Sequence, residues 1–259
     1  MQTQRLTEHI KALEAMRRYP ETLYYRGNKA LLRRPMVSIV GTRRASHYTL
    51  HTVRMLAKAL ASRGVCVVSG GAMGVDAAAH TGAGAANTVA VLGCGADIRY
   101  PEVNRPLLEA IEREGLLLSP FEEGFRATHW SFVVRNEIVV ALGEVLIVGQ
   151  AEPQSGSMRS VEYALKMGKP IYVLPHRLGE SEGTNRLLRE GKAEAIYDID
   201  AFASKFGVAV ENTRPKDDLF YFCQRMPTLD EALAAFGETI YEAELEGRIV
   251  IRDGIVMPA

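Results

Sequence analysis

The sequence predicts an α/β fold with a doubly wound, mainly parallel sheet, followed by a second, much smaller domain. Short apolar strands alternate with helices about six times between Met36 and Lys205, as in successive right-handed βαβ units. The strands are apolar throughout, which is typical of strands buried on both faces. Near the end of the chain, helical segments precede two short strands joined by Asp253-Gly254, a common hairpin turn. We therefore expect an extended Rossmann-like fold with a small winged-helix domain.

The composition changes along the chain suggest four segments. A polar, proline-containing stretch near residue 215 reads as a linker. Apolar residues at helical spacing predict a helix over 7–18. The predicted segments are an N-terminal extension packed on the main domain (1–35), a Rossmann-like domain (36–208), a linker (209–218) and a winged-helix domain (219–259).

Charge is balanced overall but not locally. The 259 residues include 31 Lys and Arg and 31 Asp and Glu, so a polyanionic partner must be met by a local basic patch. Eight basic residues lie between Met16 and Arg44 against a single acid, Glu21. This asymmetry fits either a solvated surface or a polyanion-binding surface.

The absence of long apolar segments from the sequence predicts the cellular location. It has no run of about 18 apolar residues and no apolar leader at its start, so we expect a cytosolic protein with no membrane partner. The three cysteines, Cys66, Cys94 and Cys223, are far apart and are expected to be reduced core residues.

Candidate binding residues follow the predicted strands, where ligands of open parallel sheets bind. The corner SGG (Ser69 to Gly71) would let backbone amides approach a phosphate, next to the positive end of a helix that starts near Val75. Alternatively, these glycines only turn a tight corner. The remaining candidates are arginines, hydroxyls, amides and an aromatic side chain: Thr42, Arg43, Arg44, His129, Phe132, Arg135, Asn136, Ser155, Gly156 and Ser157.

These candidates favour phosphate binding over catalysis. They include no nucleophile–base pair, no metal-ligand cluster and no paired carboxylates, so we expect no enzyme activity, no cofactor and no metal. The sequence contains no P-loop, and its first corner is GTRRAS rather than GxGxxG. Asp76 and His80 are expected to support the fold. Trp130 fits a core position better than a stacking platform.

A series of blocks resembles, in order, the signature blocks of the DNA-processing protein A family (DprA/Smf). They read IVGTRRAS, VVSGGAMGVDAAAH, AVLGCGADIRYPEVN, GLLLSPFEEG, FVVRNEIVVAL, SGSMRSVEYALKMGKPIYVLP and SEGTNRLLREG. The C-terminal TLDEALAAFGETIYEAELEGRI resembles the small winged-helix module of some members. The resemblance implies a homodimer that binds single-stranded DNA, protects incoming DNA and loads the RecA recombinase during natural transformation, without known enzyme activity.

The resemblance also implies a DNA pocket. It would use Arg43, the backbone of Ser69 to Gly71, Phe132, Arg135 with Asn136, and the loop from Ser155 to Ser157. His129 stands where close relatives carry a lysine, and histidine is a weaker phosphate partner than lysine near neutral pH.

Two other interpretations stay open. A phosphoribohydrolase-like enzyme would need a PGGxGTxxE corner, which is absent, and a small-nucleotide sensor would not need so long a basic run. Double-stranded DNA is a further candidate partner. However, the helix around residues 238–246 carries four glutamates, which favours contact with a protein over entry into a DNA groove.

Overall fold

The computed structural model describes residues 2–208 and 218–258, apart from the side chains of Asp218 and Phe220. The chain divides into two compact units, Met1–Val210 and Glu211–Ala259. Apart from the backbone of residue 218, the predicted linker (209–218) lies outside the described residues.

The first unit alternates strands and helices. Its strands are β1 Gln4–Leu6, β2 Leu23–Gly27, β3 Met36–Val40, β4 Cys66–Ser69, β5 Thr88–Val91, β6 Leu116–Ser119, β7 Leu146–Val148, β8 Ile171–Val173 and β9 Glu194–Ala195. Its helices are α1 His47–Ala61, α2 Val75–Ala83, α3 Arg105–Glu114, α4 His129–Leu142, α5 Gly156–Lys166, α6 Glu182–Arg189 and α7 Ile199–Ala203.

These strands form one sheet in the order β1-β2-β6-β5-β4-β3-β7-β8-β9. The seven strands from β6 to β9 in this order are parallel, and β1 and β2 add an antiparallel edge. The predicted fold class, a mainly parallel Rossmann-like sheet, is therefore confirmed. The chain builds outward from β3 through β6, then returns to place β7 on the other side of β3. This reversal opens a crevice at the carboxyl ends of β3 and β7.

The sheet is covered by helices on both faces, because consecutive strand residues point to opposite sides. On one face, Ile39 and Ile147 share a core with Leu56 of α1. On the other face, Val148 shares a core with Ile138 of α4. Apolar strands are thus buried on both sides, as their sequences predicted.

The N-terminal segment differs from its prediction. In place of the helix predicted over 7–18, it forms strand β1 and a short 3-10 helix at Lys11–Ala15. The spacing of the apolar residues correctly predicted which side chains are buried. Leu6, Ile10 and Leu13 belong to the hydrophobic core that also contains residues of α4. A strand followed by a 3-10 helix can bury the same side chains that an α-helix would bury. The pairing of β1 with β2 favours this conformation over the α-helix.

The second unit contains α8 Asp218–Cys223, α9 Leu229–Phe236, α10 Thr239–Leu245, β10 Ile249–Arg252 and β11 Ile255–Pro258. The Thr228 side chain accepts a hydrogen bond from the Glu231 amide, and the Glu231 carboxylate accepts one from the Thr228 amide, forming a capping box. Asp253 and Gly254 have φ of 50° and 74° and turn β10 into β11. The order of three helices and a hairpin agrees with the sequence prediction, and its assignment as a winged helix stays a prediction.

None of the helices in the described ranges has both the length and the apolar character needed to cross a bilayer.

Close packing of α1 against α2 generates a stability prediction. A Cβ atom on Gly82 would lie 2.3 Å from the backbone oxygen of Arg54, so a side chain there must push two helices apart. We expect Gly82→Ala to lower the free energy of unfolding by about 1–3 kcal/mol, although alanine is the better helix former. Chemical denaturation measures this. Gly156→Ala is the control, because no atom lies within 4 Å of its added Cβ; an equal loss in both variants would contradict the packing argument.

Candidate functional site

A pocket of roughly 530 Å³ opens at the crevice where the strand order reverses. The loop after β3 and the first turn of α5 line it, and α4 contributes one further wall. The sequence-predicted residues that line it are Thr42, Arg43, Arg44, His129, Phe132, Arg135, Asn136, Ser155, Gly156 and Ser157. Ten of the thirteen predicted residues thus meet at one place, although they come from three distant parts of the sequence.

Sequence reasoning missed several lining residues, including Asp76, Gln154, Arg159 and Ser160. The glycine and serines of the SGSMRS block (Ser155 to Ser160) predict a binding loop, and the arginine of the same block also lines the pocket. Arg159 follows Gly156 by three residues, which places both on the same side of the first turn of α5. Helical spacing was the available signal.

The pocket carries an excess of positive charge. Arg43, Arg44 and Arg159 are exposed, and none of them forms an ion pair within the described part of the chain. The acidic residue Asp76 is buried and paired with Arg135. Unpaired guanidinium groups around a concave surface favour a phosphate-bearing ligand.

The SGG corner does not serve the pocket in the predicted way. The Gly70 amide donates to Asp76 Oδ2 at 3.1 Å, and the Gly71 amide donates to His80 Nε2 at 3.2 Å. The Ser69 hydroxyl donates to the Ile39 carbonyl at 2.6 Å. These three residues are also absent from the pocket lining. The prediction that their donors bind a phosphate is therefore corrected: each donor is already used inside the fold.

The glycines instead make room for side chains of α4. A Cβ atom at Gly70 would lie 1.1 Å from Nη1 of Arg135, and one at Gly93 would lie 2.6 Å from the Phe132 ring. Any larger residue at these two positions would displace the arginine or the aromatic ring. Glycine at these two positions therefore allows α4 to pack against the carboxyl ends of the strands.

Arg135 and Asp76 form a buried pair beneath the pocket. Arg135 is 4% exposed, its Nη1 lies 3.7 Å from Asp76 Oδ2, and its Nε has no hydrogen-bond partner in the described residues. Burial lowers the pKa of Arg135 and raises that of Asp76, while the attraction between the two charges opposes both changes. The two opposite charges offset each other, and Arg135 Nε is left as an unused donor in the described residues.

Phe132 lies close to two cations of the pocket. The guanidinium carbons of Arg43 and Arg135 lie 5.6 Å and 5.7 Å from its ring centre, within the range of cation–π attraction. The ring is half-buried and its centre lies 6.1 Å from that of Tyr100. An aromatic face next to arginines can stack on a base while they contact phosphates.

Trp130 occupies neither predicted position. It is 54% exposed, so it is not a core residue, and it does not line the pocket. Its ring makes edge-to-face contacts with Phe121 and Phe125. Two positions along a helix differ by about 200° in direction, which sends Trp130 away from the side on which Phe132 lies.

The basic run between residues 16 and 44 is largely paired within the fold. Arg26 forms ion pairs with Glu112 and another glutamate, and Lys29 and a neighbouring arginine contact Glu8. Only the last two arginines of the run line the pocket. The run therefore does not form one extended polyanion-binding surface, and it no longer argues against a small-nucleotide ligand.

No cluster of three or more His, Cys, Asp or Glu side chains in the described ranges could hold a metal ion. His80 is a buried structural residue. Its Nε2 accepts from Gly71, so the proton sits on Nδ1, which donates to the Thr88 hydroxyl at 2.7 Å.

The burial of His80 generates a pH prediction. Burial lowers its pKa to about 3, below the 6.5 of an exposed histidine. Between these values the unfolded chain binds the extra proton, so acidification destabilises the native state. We expect the His80 contribution to lower the free energy of unfolding by about 2 kcal/mol when the pH falls from 6.5 to 5. Urea unfolding at both pH values measures the loss, and His80→Gln should show a smaller pH dependence. An identical dependence in both proteins would contradict this assignment.

Comparisons with known proteins agree with the fold. A sequence model of a protein family described as DNA recombination-mediator protein A matches residues 3–207. A structure of DNA processing protein A from Helicobacter pylori, described as binding single-stranded DNA, is 40% identical and superposes with a TM-score of 0.77 over 79% of this chain and 95% of that one. The structure of the Streptococcus pneumoniae protein DprA is 32% identical, with a TM-score of 0.72 over 76% of this chain and 71% of that one.

Curated relatives give the same result. Protein Smf of Synechocystis is 35% identical over 73% of this chain, and DprA of Streptococcus pneumoniae is 35% identical over 66%. The chain spans 49% and 62% of the length of these two relatives. The name of the second relative describes a DNA-processing protein. The chain belongs to the family of DNA recombination-mediator protein A, also named DprA or Smf.

Proposed function

We propose that this protein is a single-stranded DNA-binding recombination mediator and that the pocket between β3 and α5 is its DNA site. The observation that carries the proposal is the meeting of unpaired arginines and a half-buried aromatic ring in one concave surface. Arginines supply sequence-independent attraction to phosphates, and the ring supplies a stacking surface for any base.

A single strand fits this arrangement better than a duplex. The Phe132 ring is half-buried among the pocket residues, and only an unpaired base can leave its neighbours and lie on it. Stacking on an aromatic ring contributes about 1–3 kcal/mol per base. The related Helicobacter pylori protein, which is described as binding single-stranded DNA, supports the same choice of ligand.

We further propose the finer roles that the family resemblance implies. The protein would protect incoming DNA, load the RecA recombinase onto it during natural transformation, and work as a cytosolic homodimer. RecA would require an exposed single strand, and a protein that binds phosphates and a few stacked bases leaves most base edges free. This division of contacts suits a mediator that passes its strand to another protein.

The C-terminal unit is proposed to be a winged-helix module that contacts a protein. Its helix α10 carries Glu242 and Glu244 and is flanked by Glu238 and Glu246, and a DNA backbone would repel these carboxylates. Deleting residues 219–259 should therefore leave single-strand binding largely intact.

Small-nucleotide binding is a second candidate function. A volume of roughly 530 Å³ lies within the usual range for small-molecule pockets. Competition between a mononucleotide and an oligonucleotide separates the two, since a strand that gains from several contacts should be displaced only by a large excess of mononucleotide. The phosphoribohydrolase-like alternative predicts release of a free base from a nucleoside monophosphate.

The arginine contact is tested by Arg43→Ala. We expect weaker binding of all single-stranded sequences and a salt dependence reduced by about 0.7 in log–log slope, the value for one lost phosphate contact. Gel shifts at several salt concentrations measure both. Arg113→Ala is the matched control, because Arg113 is exposed at the end of α3 and does not line the pocket. Equal binding by the Arg43 variant and the parent would exclude this pocket.

The stacking contact is tested by Phe132→Ala. We expect a loss of about 1–3 kcal/mol in binding free energy with an unchanged salt slope, because the ring carries no charge. Fluorescence anisotropy with a labelled oligothymidylate measures the affinity, and thermal unfolding checks the fold. A folded variant with the parent's affinity would leave Phe132 with a packing role only.

A further inference from the structure

We infer that Trp130 is a second base-stacking surface, outside the pocket, for the part of a bound single strand that extends beyond the pocket. The inference rests on the proposed function, because it gives a place to a further base of the strand that enters the pocket. Trp130 does not line the pocket, so its role is separate from that of Phe132.

The exposed indole of Trp130 is the first observation. Trp130 is 54% exposed, whereas tryptophan side chains are on average highly buried in folded proteins. Tryptophan is also enriched among the side chains that contribute most to binding, because its large ring loses contact with water when a partner covers it. The exposed ring is therefore a candidate contact for another molecule.

The ring is held in place before any ligand binds. It makes edge-to-face contacts with Phe121 and Phe125, with ring centres 5.4 Å and 5.7 Å away and interplanar angles of 81° and 70°. A capping box between Thr128 and Ser131 fixes the start of α4 on either side of Trp130. A preorganised ring gives up little conformational freedom when a base stacks on it.

The pocket and the ring are neighbours at the start of α4. His129 lines the pocket, Trp130 is the next residue, and Phe132 follows in the same turn. A volume of roughly 530 Å³ is that of a small-molecule site, so a longer strand must leave the pocket across its rim. A strand that leaves past His129 crosses the start of α4 and reaches Trp130.

Charge near the ring is mixed and does not select the ligand. The loop before α4 carries the exposed residues Glu122 and Arg126, which have opposite charges, and Glu123 of the same loop pairs with Arg26. Attraction to phosphates is therefore left to the arginines of the pocket. Trp130 would add stacking, which accepts any base and does not depend on salt through counterion release.

A protein partner is the competing ligand. Val134 is 37% exposed and lies one helical turn after Trp130, on the same side of α4. A protein surface would cover both side chains, whereas a single base covers no more than the indole. Continuity with the pocket through His129 favours the strand, and a substitution at Val134 separates the two ligands.

The first test uses the intrinsic fluorescence of the full chain, because Trp130 is the one tryptophan of the sequence. The chain is titrated with oligothymidylates of increasing length, starting from a dinucleotide. We expect short oligomers to bind without quenching, and longer ones to quench the emission, because a thymine stacked on indole quenches it. Quenching that is absent at every length, or equal at every length, would overturn the inference.

The second test measures the affinities of Trp130→Ala, Trp130→Phe and Val134→Ser by anisotropy with labelled oligothymidylates at two salt concentrations. Trp130→Ala should weaken the binding of long strands about fivefold or more, the effect of losing one stacked base. Its affinity for short strands and its salt slope should match those of the parent. Trp130→Phe, which keeps an aromatic ring, should restore most of the loss, and Val134→Ser should bind every length as the parent does.

Three results of the second test would overturn the inference. Parent-like binding of long strands by Trp130→Ala would remove the ring from the DNA path. An equal loss for short and long strands would give Trp130 a role in the shape of the pocket. A loss shared by Val134→Ser would indicate a wider surface of the kind that a protein covers. If thermal unfolding shows that Trp130→Ala is not folded, the fluorescence of the parent still tests the inference.

Failure of this inference and failure of the proposed function give different results. If Phe132→Ala weakens the binding of short strands while Trp130→Ala leaves long strands unaffected, the pocket remains the DNA site and the second stacking surface is excluded. A parent protein that binds no single strand of any length overturns both.

Discussion

The pocket depends on the guanidinium group of Arg135, which occupies the space that a side chain at Gly70 would fill. Arg135 enters from α4 and places Nη1 only 1.1 Å from where a Cβ atom of residue 70 would lie. Asp76, on α2, holds the amides of Gly70 and Ala72 and lies 3.7 Å from the same guanidinium. One buried ion pair therefore connects the corner after β4, the start of α2 and the helix that carries Phe132.

A buried ion pair of this kind fixes the relative positions of the elements that carry it, and it contributes little to the net free energy of unfolding. Removing two charges from water costs several kcal/mol per ion, and their attraction repays this only when the geometry is good. Here the carboxylate is also bonded to two amides, while the guanidinium keeps an unused Nε. The pair fixes the position of α4 at the carboxyl ends of the strands, where the Phe132 ring lies 5.6 Å and 5.7 Å from the guanidinium carbons of Arg43 and Arg135.

Much of the fold followed from the sequence, because apolar strands alternating with helices permit few topologies. The residues after β3, in α4 and before α5 were also predictable, since parallel strands bring their carboxyl ends to one edge. The sequence did not allow prediction of the ion pair between Arg26 and Glu112 or of the hydrogen bond from the Gly70 amide to Asp76. These contacts join elements whose relative positions are set by packing, and a glycine that admits a phosphate looks the same in sequence as one that admits an arginine.

The central claim is that Arg135 and Asp76 act as one unit, and a double-mutant cycle on unfolding free energy tests it most directly. Arg135→Met and Asp76→Ala should each cost about 3–5 kcal/mol, because each leaves an uncompensated buried charge. The double variant should cost less than the sum by more than about 1 kcal/mol, since neither charge then remains. Costs that add within about 0.5 kcal/mol would show that the two residues are independent and would contradict this account.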